Sequence, residues 1–136
     1  MYWMRVRREL FLEYKGKRVK AIALFDTGSS FTIMSTNKFR TFFGYEDWVV
    51  LDKPYYGHLI NGQRIKIDKY VIMKIIIDDN DLVEMVFLSD EYVEKIFCDE
   101  KEIVFPDIII GSGTMDKYGI ELSPERGVEV KGILLL

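Results

Sequence analysis

An all-β chain is what this sequence predicts, and three observations carry it. Short runs of β-branched and aromatic residues recur between Gly, Asn and Asp punctuation, turn-forming dipeptides sit between several of those runs, and stretches of helical period are few and short. With 136 residues, 49% hydrophobic and 30% charged, residues 1–136 form one domain whose core is large enough to fold alone.

The elements follow in order. Residues 10–14 and 19–25 predict a hairpin around Lys15-Gly16-Lys17, which brings the chain to Asp26 at the end of its second strand. The basic cluster Arg5-Val6-Arg7-Arg8 is then the solvated face of the first strand. Residues 35–43 predict a helical turn capped by Ser35, with Phe39, Phe42 and Phe43 at helical spacing for packing. Residues 44–52 read as a connection. A second hairpin, 55–60 with 63–72, is joined by Asn61-Gly62, the dipeptide favoured where both turn positions need positive φ. A third pairs 71–77 with 82–88 across Asp78-Asp79-Asn80-Asp81, whose short side chains tolerate a tight turn. The apolar run Ile108-Ile109-Ile110 enters a short helix at Gly111 that ends near Gly119, and 119–122 with 127–130 close the chain as a terminal hairpin.

The chemistry concentrates at Asp26-Thr27-Gly28-Ser29-Ser30, which lies between two apolar segments, 21–25 and 31–34. A carboxylate carried into apolar surroundings must be hydrogen-bonded or partly protonated, and the following residues offer hydroxyls and a glycine amide to hold it. Together with Asp107-Ile108-Ile109-Ile110-Gly111, this triplet resembles the two signatures of the aspartic peptidases of the retroviral type, the retropepsins. Their active-site loop is Asp-Thr/Ser-Gly after a hydrophobic strand, and their second motif is an apolar-Gly run beside that loop. The order and separation of the two motifs match the family.

The resemblance implies a retropepsin-like closed β-barrel with one short helix after the apolar-Gly motif, and a flap hairpin between the motifs. Residues 53–67 occupy that place, with Ile60, Asn61 and Gly62 at the tip. The tip falls later than in the compact viral enzymes, which points to an insertion over 41–50, and the terminal hairpin resembles cellular and prokaryotic members. Because the chain holds one triplet, the resemblance implies a homodimer in which two Asp26 carboxylates share a proton and activate one water between them. An extended polypeptide is the implied substrate; no metal or cofactor is. Thr27 resembles the hydroxyl that bonds across the dimer, and Gly28 the residue whose amide lies near the carboxylates. Ser29 stands where pepsin-like enzymes place a hydroxyl beside the outer carboxylate oxygen, which predicts an acid-shifted activity. Ile109, Ile110 and Gly111 form the apolar-Gly support. Ser30 and Ser112 replace the Asp and Arg that brace viral dimers.

Two further readings stand beside the catalytic one: a non-catalytic dimerisation or peptide-binding module of the same fold, and a plain structural β-domain. Other chemistries find little support. A net charge of −3 with scattered Lys and Arg provides no nucleic-acid surface. The lone Cys98 can form neither an internal disulfide nor a zinc site, and together with the lack of a readable targeting signal it points to the cytoplasm. The acidic turn 78–81 lacks the glycine and distant glutamate of a calcium loop. Gly111-Ser112-Gly113 lacks the Lys-Ser/Thr of a phosphate cradle. His58, the only histidine, falls on the flap and has no paired nucleophile. The apolar end, 132–136, is far shorter than the ~20 residues of a membrane span, so no membrane partner is expected.

Overall fold

The computed structural model describes residues 4–58, 62–92, 95–98 and 101–132, with side chains excepted over 95–98 and 101–104. Strands β1 (Arg5–Tyr14) and β2 (Lys17–Asp26) pair antiparallel through a two-residue turn. Lys15 (φ 48°) and Gly16 (φ 81°) both have positive φ, the geometry that matches the twist of a tight hairpin. The turn is thus one residue shorter than Lys15-Gly16-Lys17, and Tyr14 lies opposite Lys17. Both strands also run further than 10–14 and 19–25. Their outer ends are charged, and the cross-strand pairs Glu13–Arg18 (3.3 Å) and Glu9–Lys20 (3.9 Å) suit an exposed face.

After the short β3 (Ile33–Ser35), helix α1 (Thr36–Phe43) starts where the Ser35 side chain accepts the Lys38 amide at 3.2 Å. It stops at Gly44, whose φ of 74° turns the chain into the left-handed region and lets its N–H reach Arg40 O at 2.8 Å. Phe39 and Phe43 are buried, with Tyr14 edge-on to Phe39 at 5.1 Å. The segment expected as an insertion, 41–50, is the end of α1, a connection and the start of β4 (Val49–His58). That strand begins earlier than residue 55 and slips register between Val50 and Tyr55. Pro54, which lacks an N–H, lies within this irregular stretch of an edge strand, where a missing donor is tolerated.

The second and third predicted hairpins share one strand. β5 (Arg64–Ile77) is a continuous 14-residue strand, paired with β4 and with β6 (Asn80–Ser89). Ile65, Ile67, Lys69, Val71, Met73, Ile75 and Ile77 alternate inward along it. Asp78-Asp79 turns it, with Asp78 at φ 54° gripped by the Arg8 guanidinium and Asn80 donating to Ile77 O at 3.2 Å. A hairpin of β7 (Lys95–Cys98) and β8 (Lys101–Val104) precedes β9 (Ile108–Ile110) and helix α2 (Ser112–Tyr118), which is closed by Gly119 at φ 63°. β10 (Ile120–Ser123) and β11 (Gly127–Val130) form the terminal hairpin.

The main sheet runs β1-β2-β9-β3-β6-β5-β4, and β1 also pairs with β5 through Phe11–Ile76, Leu12–Ile75 and Glu13–Lys74, closing its first six strands into a ring. β9 lies parallel to β2 and antiparallel to β3. Alternation along β9 sends Ile108 and Ile110 into the main core with Phe25, Met34 and Leu88, and Ile109 to the opposite face with Ile33, Ile65 and Ile67. A strand covered on both faces reads as an unbroken apolar run, which is why 108–110 shows no alternation. Among the described residues no helix is long and apolar enough to cross a membrane.

Alternation also carries Lys69 inward. Burial disfavours its charge, but Asp68 (2.8 Å) and Asp90 (2.9 Å) outweigh that and hold the ammonium above its ordinary range. Lys69 in turn lowers Asp90, and Arg8 lowers Asp78. A carboxyl lowered on folding contributes stability above its unfolded value and loses it as pH falls through the folded value. Acidification below the ordinary carboxylate range should therefore lower the thermal midpoint. The double variant Asp78→Asn/Asp90→Asn should show a smaller drop over that interval by differential scanning calorimetry.

Candidate active site

β2 ends by delivering two consecutive residues to opposite faces: Phe25 into the main core, and Asp26 to the floor of a cleft of about 540 Å³. Asp26 is 5% exposed. Its Oδ1 accepts the Gly28 amide at 2.9 Å, and its Oδ2 accepts Arg5 Nε at 3.3 Å. The second contact follows from the hairpin register. Arg5 and Asp26 are directly opposite in an antiparallel pair, so their side chains share one face. Arg5, expected on a solvated strand face, thus belongs to the site, and the sequence signal for it was the length of the Lys15-Gly16 turn.

The loop after Asp26 is stitched to both neighbours. Ser29 N–H donates to Asp26 O at 3.1 Å, closing the turn. Thr27 bonds within the chain: its N–H donates to Met4 O at 3.1 Å, and its hydroxyl accepts the Met4 amide at 2.9 Å. Ser29 Oγ donates to Phe31 O at 2.8 Å. A hydroxyl has one proton, so this bond leaves none for the Asp26 carboxylate, and the expected tuning of Asp26 by Ser29 is corrected accordingly. Ser29→Ala should cost about 1 kcal/mol of stability through the loop, which thermal denaturation reads.

The apolar-Gly segment supports the loop from below. Ile109 lies beside Leu24 and Ile110 beside Phe25 in the parallel β2/β9 pair, and Ile109 also lines the cleft. The Ser112 amide donates to Ser29 O at 2.6 Å, and the Gly111 amide donates to Thr32 Oγ1 at 3.1 Å. Thr32 shares a 2.6 Å hydrogen bond with Thr114 of α2, so two buried hydroxyls that the sequence did not single out lock loop to helix. Asp107 acts as a clamp: its carboxylate accepts the Ile22 amide at 2.8 Å and lies 3.3 Å from Lys38 Nζ.

The roof of the cleft comes from the β4–β5 hairpin through Tyr55, Gly57, Ile65 and Ile67, with His58 also lining it. Phe31 packs at 4.6 Å and a shallow tilt against Phe87 and edge-on at 5.3 Å against Tyr55, making one wall aromatic. The predicted tip residues Ile60 and Asn61 lie outside the described residues; Gly62 has φ 83°, as the second position of such a turn requires. A smaller recess of about 180 Å³ flanks Thr27, bounded by Met4, Ser112, Met115 and Asp116. Among the described residues no three His, Cys, Asp or Glu side chains cluster where they could hold a metal ion.

No protein-family model matches the chain, and no curated protein matches it in sequence. Among solved structures, the retroviral protease-like domain of Ddi1 from Leishmania major superposes with a TM-score of 0.63 at 12% identity, over 94% of this chain and 90% of that one. At that identity the likeness concerns architecture, and the chain has a retropepsin-like fold.

Proposed function

We propose that the chain is an aspartic endopeptidase that works as a homodimer. The observation that carries this reading is Asp26, a nearly fully buried carboxylate held by a glycine amide on the floor of a cleft large enough for a peptide segment. A structural acid has no need of such a cleft, and one carboxylate is half of the required pair. In the dimer two Asp26 groups face each other across a two-fold axis and share one proton, because adjacent like charges cannot both ionise cheaply. The ionised Asp26 takes a proton from the water as its oxygen attacks the scissile carbonyl, while the protonated mate polarises that carbonyl. The tetrahedral intermediate collapses as the C–N bond breaks and the leaving amine takes up a proton from the dyad.

A second reading, a non-catalytic dimerisation or peptide-binding module, draws on the bonds Asp26 and Thr27 make within their own chain, to Arg5 and Met4. One experiment separates the two. The purified protein is incubated with a denatured protein mixture from acid to neutral pH, with and without pepstatin, while its mass is followed by sedimentation. Pepstatin-sensitive cleavage by a dimer supports the peptidase; a dimer without cleavage supports the module.

A further inference from the structure

The cleft's charge is unbalanced in a way the peptidase mechanism does not use. Arg5 is 48% exposed and meets Asp26 through Nε alone, at 3.3 Å. A guanidinium carries five N–H donors in a planar fork, and its two terminal nitrogens are matched to a carboxylate. Among the described residues, Asp26 is the only acid lining the cleft, and the rest of the lining is largely apolar or aromatic, His58 being the other basic side chain. In a dimer, two Arg5 groups would bring two positive charges while two Asp26 carboxylates sharing a proton bring one negative charge. The joined cleft then carries one positive charge in excess, beside apolar walls that weaken its screening.

We propose that Arg5 is a specificity-determining residue that selects polypeptides with an Asp or Glu side chain close to the bond held over Asp26. The inference rests on the cleft binding a peptide, as set out above, and deepens it to a substrate class. The Nε contact keeps the guanidinium on the cleft floor, and the terminal nitrogens take the substrate carboxylate in a bidentate pair. Such a pair depends on the planar fork, so Lys at this position should satisfy it in part and Gln hardly at all.

The test uses a peptide library prepared from a whole-proteome digest, at a pH where acidic side chains are ionised. Wild-type cleavage sites should be enriched in Asp or Glu at one position. Matched Glu and Gln peptides should differ about ten-fold in kcat/KM. In Arg5→Gln that ratio should fall to about one, with Arg5→Lys between; because each ratio is taken within one variant, any damage to Asp26 cancels. Cleavage without acidic preference, or a preference kept in Arg5→Gln, overturns the proposal. If the wild type cleaves nothing, the endopeptidase reading fails by itself and the subsite is read by binding. Peptides retained on the immobilised wild-type protein should be enriched in acidic residues, and those retained on Arg5→Gln should not. Retention without that enrichment, or no retention, overturns the proposal.

Discussion

Asp26→Asn should abolish the proposed peptide hydrolysis while the chain stays folded. Asparagine keeps the shape of the side chain and still offers an oxygen to the Gly28 amide, which now lies 2.9 Å from Oδ1. In the proposed mechanism this removes the group that takes a proton from water and returns it to the leaving amine, so the expected loss of turnover is at least about ten-thousand-fold. Stability should change little. The ion pair with Arg5 joins a half-exposed guanidinium to a buried carboxylate, and such partly solvated pairs contribute about 1 kcal/mol or less. In the proposed dimer, association should not weaken, because two facing asparagine amides can hydrogen-bond to each other in place of the shared proton. Cleavage retained in a pure, folded Asp26→Asn preparation removes the mechanism; circular dichroism and sedimentation supply the folding and assembly controls.

Gly111→Ala should be strongly damaging. A Cβ built at Gly111 would lie 2.5 Å from Phe31 O, 2.7 Å from Ser29 O and 2.8 Å from Phe31 C, all of them backbone atoms. No rotamer change can relieve that overlap. Either β9 withdraws from the loop, breaking the bonds from the Gly111 amide to Thr32 and from the Ser112 amide to Ser29, or the loop shifts and takes Asp26 with it. The expected cost is about 3 kcal/mol, or a fall in Tm of about 10 °C. Below that lowered midpoint, cleavage should also fall sharply, because the loop and the support beneath it move together. Gly57→Ala is the contrast: its nearest neighbour would be the flexible end of Ile67 at 3.7 Å, so a small effect there shows that the damage at Gly111 comes from the backbone.

Much of the architecture was legible because local chemistry decides it. Ser35 caps α1, Gly44 and Gly119 end the two helices, and the apolar run at 108–110 becomes the doubly covered β9. The misreadings have physical causes. A turn of three residues at 15–17 would set Asp26 opposite Val6, whereas the two-residue turn sets it opposite Arg5. One residue of turn length therefore hid the cation of the site. The sequence divides the long β5 in two because periodicity carries no mark of where a strand exchanges one partner for another. The β7–β8 pair passed unnoticed, and Thr32 and Thr114 were invisible because two hydroxyls 82 positions apart meet only through the fold. The Ser29 assignment comes from family likeness, and in the structure the hydroxyl donates to the loop's own backbone, at Phe31 O.

The unbroken β5 makes the roof of the cleft a lever. Its far arm, beyond Lys66, is laddered only to β4, while residues from Lys69 onward are laddered to β6 within the closed ring. Between the two arms, Ser89 and Glu91 hold the Lys66 backbone, and Asp68 and Asp90 hold the Lys69 ammonium. That cluster is the fulcrum. An extended strand is stiff along its length and compliant in twist, so any lifting of the arm would load the Lys66–Lys69 pins before it disturbed the core. These pins begin 40 positions beyond Asp26 and lie outside the described lining of the cleft, so the stiffness of the roof is set away from the residues that face the cavity.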